Sequence, residues 1–185
     1  TPAETVRIVD THDWRTSFLS GHNDAVLAVA ACDEYVASAS KDRTAKVWRE
    51  TSGRWDLMST LEGHVDSVGA VALGKKGDEL VCATASKDRT LKLWQDGQCT
   101  SSTIAHDKDI NDVALSPGCV VVASCSSDRT AKLWDIRSGS CIETFTVPEL
   151  PGVVHTVSMS PSHDSVLMVC SDGMGGVPAL WDVSA

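Results

Sequence analysis

The chain has 185 residues, 42% hydrophobic and 22% charged, which is the range of ordinary globular domains. A formal net charge of -9 and a pI near 5.0 argue against broad attraction to nucleic-acid backbones, although they leave room for a local basic patch. The longest strongly apolar run, Ala25 to Cys32, is far too short to span a bilayer, so we expect no membrane contact.

The seven cysteines are odd in number and include no Cys-x-x-Cys pair. Most have apolar or small neighbours, which is typical of reduced, buried thiols in a cytosolic or nuclear protein. Cys119 and Cys125 come closest to the paired spacing of a structural zinc site, but two residues of this kind are a weak signal. We therefore predict no metal and no cofactor.

A seven-residue pattern recurs in nearly identical form at residues 42–48, 88–94 and 128–134, and each copy reads Asp-Arg-Thr-x-Lys-x-Trp. The tryptophans at positions 48, 94, 134 and 181 are separated by 46, 40 and 47 residues. This period is close to that of a four-stranded propeller blade, and no segment has a helical period. The repeats therefore predict an all-β propeller.

The predicted strands follow this period from one end of the chain to the other. Residues 5–10 align with residues 44–49, so we expect the chain to start in the middle of a blade. Residues 35–40, 80–86 and 120–126 are rich in Val, Ala, Leu and Ser, which is typical of buried strands. Each of these runs precedes one of the three Asp-Arg-Thr turns. The last repeat diverges, with Gly152-Val153 at its start and an enlarged loop over residues 173–178.

A second motif precedes each repeat: Gly21-His22, Gly63-His64 and, as a variant, Ala105-His106. With Trp134-Asp135 and Trp181-Asp182, these motifs resemble the WD40 family, in which Gly-His opens a repeat and Trp-Asp closes it. The resemblance implies two strands of a preceding blade in residues 1–20, repeats over 21–62, 63–104 and 105–149, and a divergent, incomplete repeat over 150–185. We expect an open arc of 17 strands, about four blades, from a longer seven-bladed or tandem propeller, or an arc completed by another chain.

The recurring His, Ser and Asp, beginning with His22, Ser38 or Ser40, and Asp42, raise the alternative of a hydrolase triad. Three copies of one constellation, each spaced alike and each ending in a tryptophan, favour a framework over three active sites, so we predict no enzyme. The WD40 resemblance implies instead a hydrogen-bonded tetrad in each blade, running from His through Ser or Thr and Asp to the indole N–H. The tetrads would be His22, Ser38, Asp42 and Trp48; His64, Thr84, Asp88 and Trp94; and His106, Ser124, Asp128 and Trp134.

Basic residues flank the aspartate of each turn. They are Lys41, Arg43, Lys87, Arg89 and Arg129. In WD40 propellers this turn lies on the same side as the Gly-His loops, so the resemblance implies a cationic rim. Such a rim is suited to an acidic peptide or to RNA phosphate. The alternative is that these cations only offset neighbouring acids, namely Asp24, Asp66 and Asp109.

A closer resemblance covers about two thirds of the chain. Segments near residues 21–28, 63–69, 105–111 and 127–134 are similar, in matching order, to three consecutive blades of the transducin-β-like tandem WD40 family associated with the U3 ribonucleoprotein. This implies a nuclear, nucleolar scaffold of the small-subunit processome, acting in pre-18S rRNA processing. Its partners would be other WD40 subunits and, indirectly, U3 RNA and pre-rRNA, with no small-molecule substrate. The alternative is a WD40 adaptor of another pathway, such as a ubiquitin-ligase substrate receptor, with a cytosolic location as the fallback.

Overall fold

The structure of the chain, a computed structural model, describes residues 4–11, 14–146, 153–160, 167–171 and 179–182. Two features of the divergent last repeat lie outside the described residues: position 152, where Gly-His would stand, and the predicted loop of residues 173–178.

Within these ranges the chain forms 17 strands in five antiparallel sheets, and each strand pairs with its neighbour in the sequence. The first sheet has two strands and the last has three: β1 (Thr5–Val9) and β2 (Thr16–Ser20), then β15 (Thr156–Met159), β16 (Leu167–Ser171) and β17 (Ala179–Asp182).

Three four-stranded sheets lie between them, and we call them the first, second and third blade. The first contains β3 (Val26–Cys32), β4 (Tyr35–Ser40), β5 (Ala45–Thr51) and β6 (Arg54–Leu61). The second contains β7 (Val68–Lys76), β8 (Glu79–Ser86), β9 (Thr90–Gln95) and β10 (Gln98–Ile104). The third contains β11 (Ile110–Leu115), β12 (Val121–Ser126), β13 (Thr130–Asp135) and β14 (Cys141–Thr146). The predicted all-β propeller fragment is confirmed.

The second strand of each blade is the most deeply buried, because its small residues are covered on both faces. In β8 every residue after Glu79 is buried, and β12 is buried from Val122 to Ser126. Small residues, mainly alanine, serine and cysteine, fill the second half of these strands, so neighbouring sheets approach closely. The outer strands β10 and β14 are mostly exposed.

Adjacent blades share their cores. Ala37 and Val47 of the first blade lie in one cluster with Val71 and Trp94 of the second. A second cluster joins the second blade to the third and contains Leu93 and Trp134 on its two sides. Because burying one large aliphatic side chain stabilises the fold by about 1.5–3 kcal/mol, stacking of blades is a main source of stability.

The strand order fixes which loops share an end of the sheets. Antiparallel strands alternate in direction, so the turn after the second strand lies at the same end as the loop leading into the next blade. We call this end the rim. It contains three turns (residues 41–43, 87–89 and 127–129) and three lead-in loops (residues 21–25, 63–67 and 105–109).

The opposite end carries a charged contact between the first and second blades. The Lys75 ammonium lies 3.5 Å from a carboxylate oxygen of Asp33 and 3.7 Å from one of Glu34. Lys75 and Arg49 both lie over the ring of Tyr35, at 5.6 Å and 5.5 Å from its centre. The part of the chain that the structure describes contains no helix with the length and apolar character needed to cross a membrane.

Candidate functional site

Each blade contains a buried chain of hydrogen bonds, and the second blade shows its pattern. The indole N–H of Trp94 donates to the hydroxyl oxygen of Thr84 at 2.9 Å. The same oxygen lies 2.9 Å from Nε2 of His64, and Nδ1 of His64 lies 3.0 Å from the Asp88 carboxylate. A carboxylate only accepts, so Nδ1 carries the proton and Nε2 accepts from the Thr84 hydroxyl. The order is therefore indole, hydroxyl, imidazole, carboxylate.

The first blade repeats this arrangement. Ser38 accepts from the Trp48 indole at 3.2 Å and lies 2.8 Å from Nε2 of His22, whose Nδ1 lies 2.8 Å from Asp42.

The third blade repeats it as well. Ser124 accepts from the Trp134 indole at 2.9 Å and lies 2.8 Å from Nε2 of His106, whose Nδ1 lies 2.9 Å from Asp128. The structure thus brings the four residues of each proposed tetrad together, but in a different order from the one we expected. The aspartate ends the chain instead of linking the hydroxyl to the indole.

The aspartates also organise the turns on which they lie. In the second blade, Asp88 accepts from the backbone N–H of Val65 at 2.9 Å and from the backbone N–H and hydroxyl of Thr90. One carboxylate thus joins the lead-in loop to the turn, and Thr44 and Thr130 bind the other two aspartates in the same way. The sequence reasoning missed these threonines, although each one recurs within the Asp-Arg-Thr pattern.

The choice between Ser38 and Ser40 is settled by their contacts. The Ser40 hydroxyl donates to the backbone carbonyl of Asp24 at 2.9 Å and accepts from the backbone N–H of Asp42 at 3.1 Å. It therefore fastens the turn to the lead-in loop, and Ser38 is the serine at the imidazole. Ser86 and Ser126 occupy the place of Ser40 in the other two blades.

These environments shift the pKa values of the tetrad groups. Burial lowers the pKa of His64 and of His106, and the neighbouring aspartates only partly oppose it. Burial raises the pKa of Asp88, but the hydrogen bonds from Thr90, Val65 and His64 outweigh it and hold the pKa at about 2. The stable form of the blade therefore has a neutral imidazole beside an ionised carboxylate.

The tetrads are not arranged for nucleophilic chemistry. The side-chain hydroxyls of Ser38, Thr84 and Ser124 belong to residues with 0% exposure, and each accepts from an indole, so a substrate has no path to them. No buried side-chain nitrogen or oxygen among the described residues lacks a partner. Within the same residues, no group of three or more His, Cys, Asp or Glu is placed to hold a metal ion.

The rim arginines share an unusual backbone conformation. Arg43, Arg89 and Arg129 have φ angles of 71°, 69° and 71°, in the left-handed region that favours glycine. Each arginine is the third residue after the second strand of its blade, and its backbone N–H donates to the carbonyl of the serine three positions earlier. A non-glycine residue in this conformation costs about 1 kcal/mol or more, so each loop holds an exposed arginine at a cost in stability.

The five rim cations are exposed and carry no ion pair within the described ranges. Asp24 and Asp66 accept from the backbone N–H of the residue that follows them, at 2.6 Å each, instead of pairing with a lysine or arginine. Among the described residues, none of these cations forms an ion pair with Asp24, Asp66 or Asp109. Lys41, Arg43, Lys87, Arg89 and Arg129 project from turns that the tetrad aspartates hold in place.

Stacked four-stranded sheets, repeated buried tetrads and exposed turns define a repeat scaffold of the β-propeller class. Comparison with known protein families finds a match. The family model described as "WD domain, G-beta repeat" (WD40) matches residues 14–49, 55–95 and 97–135, which is more than half of the chain. The chain belongs to the WD40 family. Proteins of this family are typically non-catalytic scaffolds for protein–protein interactions.

Individual relatives match parts of the chain. Transducin beta-like protein 3 of Bos taurus is 36% identical over 138 residues, covering 64% of this chain and 17% of its own length. The general transcriptional corepressor TUP1 of Saccharomyces cerevisiae is 49% identical over 55 residues, covering 29% of this chain and 7% of its own. A probable cytosolic iron-sulfur protein assembly protein 1 of Chaetomium globosum is 37% identical over 78 residues, covering 32% of this chain and 17% of its own length. The chain spans less than a fifth of the length of these relatives.

Proposed function

We propose that the chain is a non-catalytic scaffold that holds partner proteins at its rim, through acidic segments that contact Lys41, Arg43, Lys87, Arg89 and Arg129. The observation that carries this proposal is the repeated placement of exposed cations, none with an ion pair to another described residue, on hydrogen-bonded turns of a chain whose net charge is -9. Charge-assisted hydrogen bonds from arginine and lysine to carboxylates are strong and directional. The tetrads hold the turns in place and do not themselves contact the partner.

The cellular role we propose is that of a subunit of the U3 ribonucleoprotein and small-subunit processome, acting in pre-18S rRNA processing in the nucleolus. Its direct partners would be other WD40 subunits, with U3 RNA and pre-rRNA associated indirectly. The resemblance of three consecutive blades to the transducin-β-like family supports this role, as does the 138-residue match with Transducin beta-like protein 3.

Affinity purification tests both parts of the proposal. The tagged chain, expressed in cells, should enrich WD40 subunits of the processome together with U3 RNA. The matched variant is Lys41→Ser with Lys87→Ser, because serine already occupies this position in the third blade as Ser127. It should lose most of the enrichment while its unfolding curve stays unchanged.

Three results would count against the proposal. If the wild-type chain enriches neither processome subunits nor U3 RNA, the cellular role is wrong, and co-purifying ubiquitin-ligase subunits would point to the adaptor role instead. If the variant enriches the same partners as the wild type, the rim is not the binding surface. If RNA binds the purified rim directly and acidic peptides do not, the rim recognises phosphate instead of protein.

A further inference from the structure

One exposed apolar side chain interrupts the polar rim. Val65 lies in the lead-in loop of the second blade, and 78% of its surface is exposed. The same position holds Asn23 in the first blade and Asp107 in the third. An isolated exposed valine is unremarkable by itself, so its surroundings decide whether it has a role.

The backbone of Val65 is fixed in place. Its N–H donates to the Asp88 carboxylate at 2.9 Å, and that carboxylate also binds His64 and Thr90. Valine has a single side-chain torsion, so little conformational entropy remains to be lost when a ligand covers it. The structure therefore presents a rigid aliphatic surface to solvent.

Two cations flank the same carboxylate. Lys87 and Arg89 stand on either side of Asp88 in the turn, and both are exposed and without an ion pair in the described part of the chain. The carbonyl of Arg89 accepts from the backbone N–H of Ala105 at 3.0 Å, which fastens this turn to the next lead-in loop.

The other two blades lack part of this set. The first blade has both cations, Lys41 and Arg43, but a polar Asn23 beside them. The third has Arg129 alone, with Ser127 in the lysine position and Asp107 in the valine position. An aliphatic group and two cations around one turn occur together only in the second of the three described blades.

We propose that Val65, Lys87 and Arg89 form a single anchor site for an acidic peptide that places an aliphatic side chain on Val65 and its carboxylates on the two cations. This rests on the proposed function and names the kind of segment the rim selects. A peptide with carboxylates next to an aliphatic side chain can contact Val65, Lys87 and Arg89 together. A phosphodiester backbone has no aliphatic side chain to cover Val65. The site distinguishes acidic segments that carry such a residue from segments that are merely acidic.

Fluorescence anisotropy with two labelled acidic peptides tests this inference. The peptides differ at one central position, which is leucine in one and serine in the other. The wild-type chain should bind the leucine peptide more tightly by on the order of tenfold. Val65→Asn, which copies the first blade, should reduce affinity for the leucine peptide to that for the serine peptide. Lys87→Ser, which copies the third blade, should weaken both.

The matched control is Val120→Asn. Val120 is also exposed, at 55%, but it precedes β12 at the end of the sheets opposite the rim. This variant should keep the full preference for leucine.

The outcomes distinguish a failure of the anchor-site proposal from a failure of the rim proposal. If the wild type binds both peptides equally, or if Val65→Asn keeps the preference, the anchor is wrong, while salt-dependent binding of both peptides leaves the rim proposal standing. If neither peptide binds, both proposals fail. If single-stranded RNA binds in a Lys87-dependent way and the peptides do not, the anchor is overturned in favour of phosphate recognition.

Discussion

The buried tetrads and the exposed rim lie within a few residues of each other, yet they differ in how faithfully they repeat. His, hydroxyl, Asp and Trp make the same contacts in all three blades, with distances between 2.8 Å and 3.2 Å. On the rim, the residue after each histidine is Asn23, Val65 or Asp107, and the third blade replaces a lysine with Ser127. A feature that every blade needs is repeated, whereas a surface that recognises one partner has to differ from blade to blade.

We expect the largest loss of stability from removing the tetrad carboxylate. Asp88→Ala removes the carboxylate that accepts from the buried imidazole of His64, from two backbone N–H groups and from the Thr90 hydroxyl. We expect the free energy of unfolding to fall by about 3 kcal/mol, as measured by urea denaturation. Asp66→Ala, which removes an exposed carboxylate from the adjacent loop, is the control and should cost less than about 1 kcal/mol. Equal losses from the two substitutions would contradict the bracing role of the tetrad.

Acidification acts on all three tetrads together. The pKa values of His64 and His106 lie below the ordinary 6.5 in the folded chain, so the unfolded chain binds more protons below that pH. Stability should therefore decrease as the pH falls through 6.5. It should decrease again below about 3.8, since Asp42 and Asp88 have pKa values of about 2 when folded.

Urea unfolding between about pH 7.5 and pH 4.5 measures the histidine contribution. The experiment needs raised salt, because lowering the negative net charge on acidification relieves repulsion and opposes the effect. A stability that is flat or increases over this range in high salt would show that His64 and His106 are not held neutral.

A smaller loss of stability should follow from removing an indole N–H while keeping an aromatic ring. Trp94→Phe keeps most of the apolar contact in the core between the first and second blades but removes the indole N–H that donates to Thr84. We expect a loss of about 1–2 kcal/mol from the missing hydrogen bond and the smaller ring. The same substitution at the half-buried Trp55, which lies outside the tetrads, should cost clearly less in thermal unfolding.

The smallest effect on stability is expected at Arg89 of the rim, where a substitution should not lower the free energy of unfolding. Arg89→Gly relieves the left-handed backbone conformation at φ 69°, and this gain equals or slightly exceeds the cost of the greater flexibility of glycine in the unfolded chain. The free energy of unfolding should stay the same or rise by about 0.5 kcal/mol, while affinity for an acidic peptide falls. A clear loss of stability would mean that Arg89 braces its blade, as the tetrad residues do.

Much of this arrangement was predictable from the sequence because the repeats were intact. The period of the tryptophans indicated the blades, and the recurring residues indicated which groups meet. Their order in the hydrogen-bonded chain was not predictable, because spacing shows which residues recur and not which atoms face each other. Ser40 and Thr44 carried a usable signal, since serine and threonine hold the same places around Asp88 and Asp128.

The rim was less accessible to sequence reasoning. Nothing in Asp-Arg-Thr indicates a left-handed arginine, because glycine and asparagine are the usual signals for that conformation. Whether the cations pair with Asp24 and Asp66 depends on side-chain directions, which only the structure gives. Val65 differs from Asn23 at the equivalent position of the first blade, and the matching registers of β3–β4 and β7–β8 fix that equivalence.

Peptide affinity and unfolding free energy, measured together on Lys41→Ser with Lys87→Ser, test the central claim most directly. If the rim binds and the tetrads stabilise, affinity for the acidic leucine peptide falls by at least about tenfold, while the free energy of unfolding changes by less than about 0.5 kcal/mol. An unchanged affinity, or a loss of affinity accompanied by an equal loss of stability, would contradict the division between the rim and the tetrads.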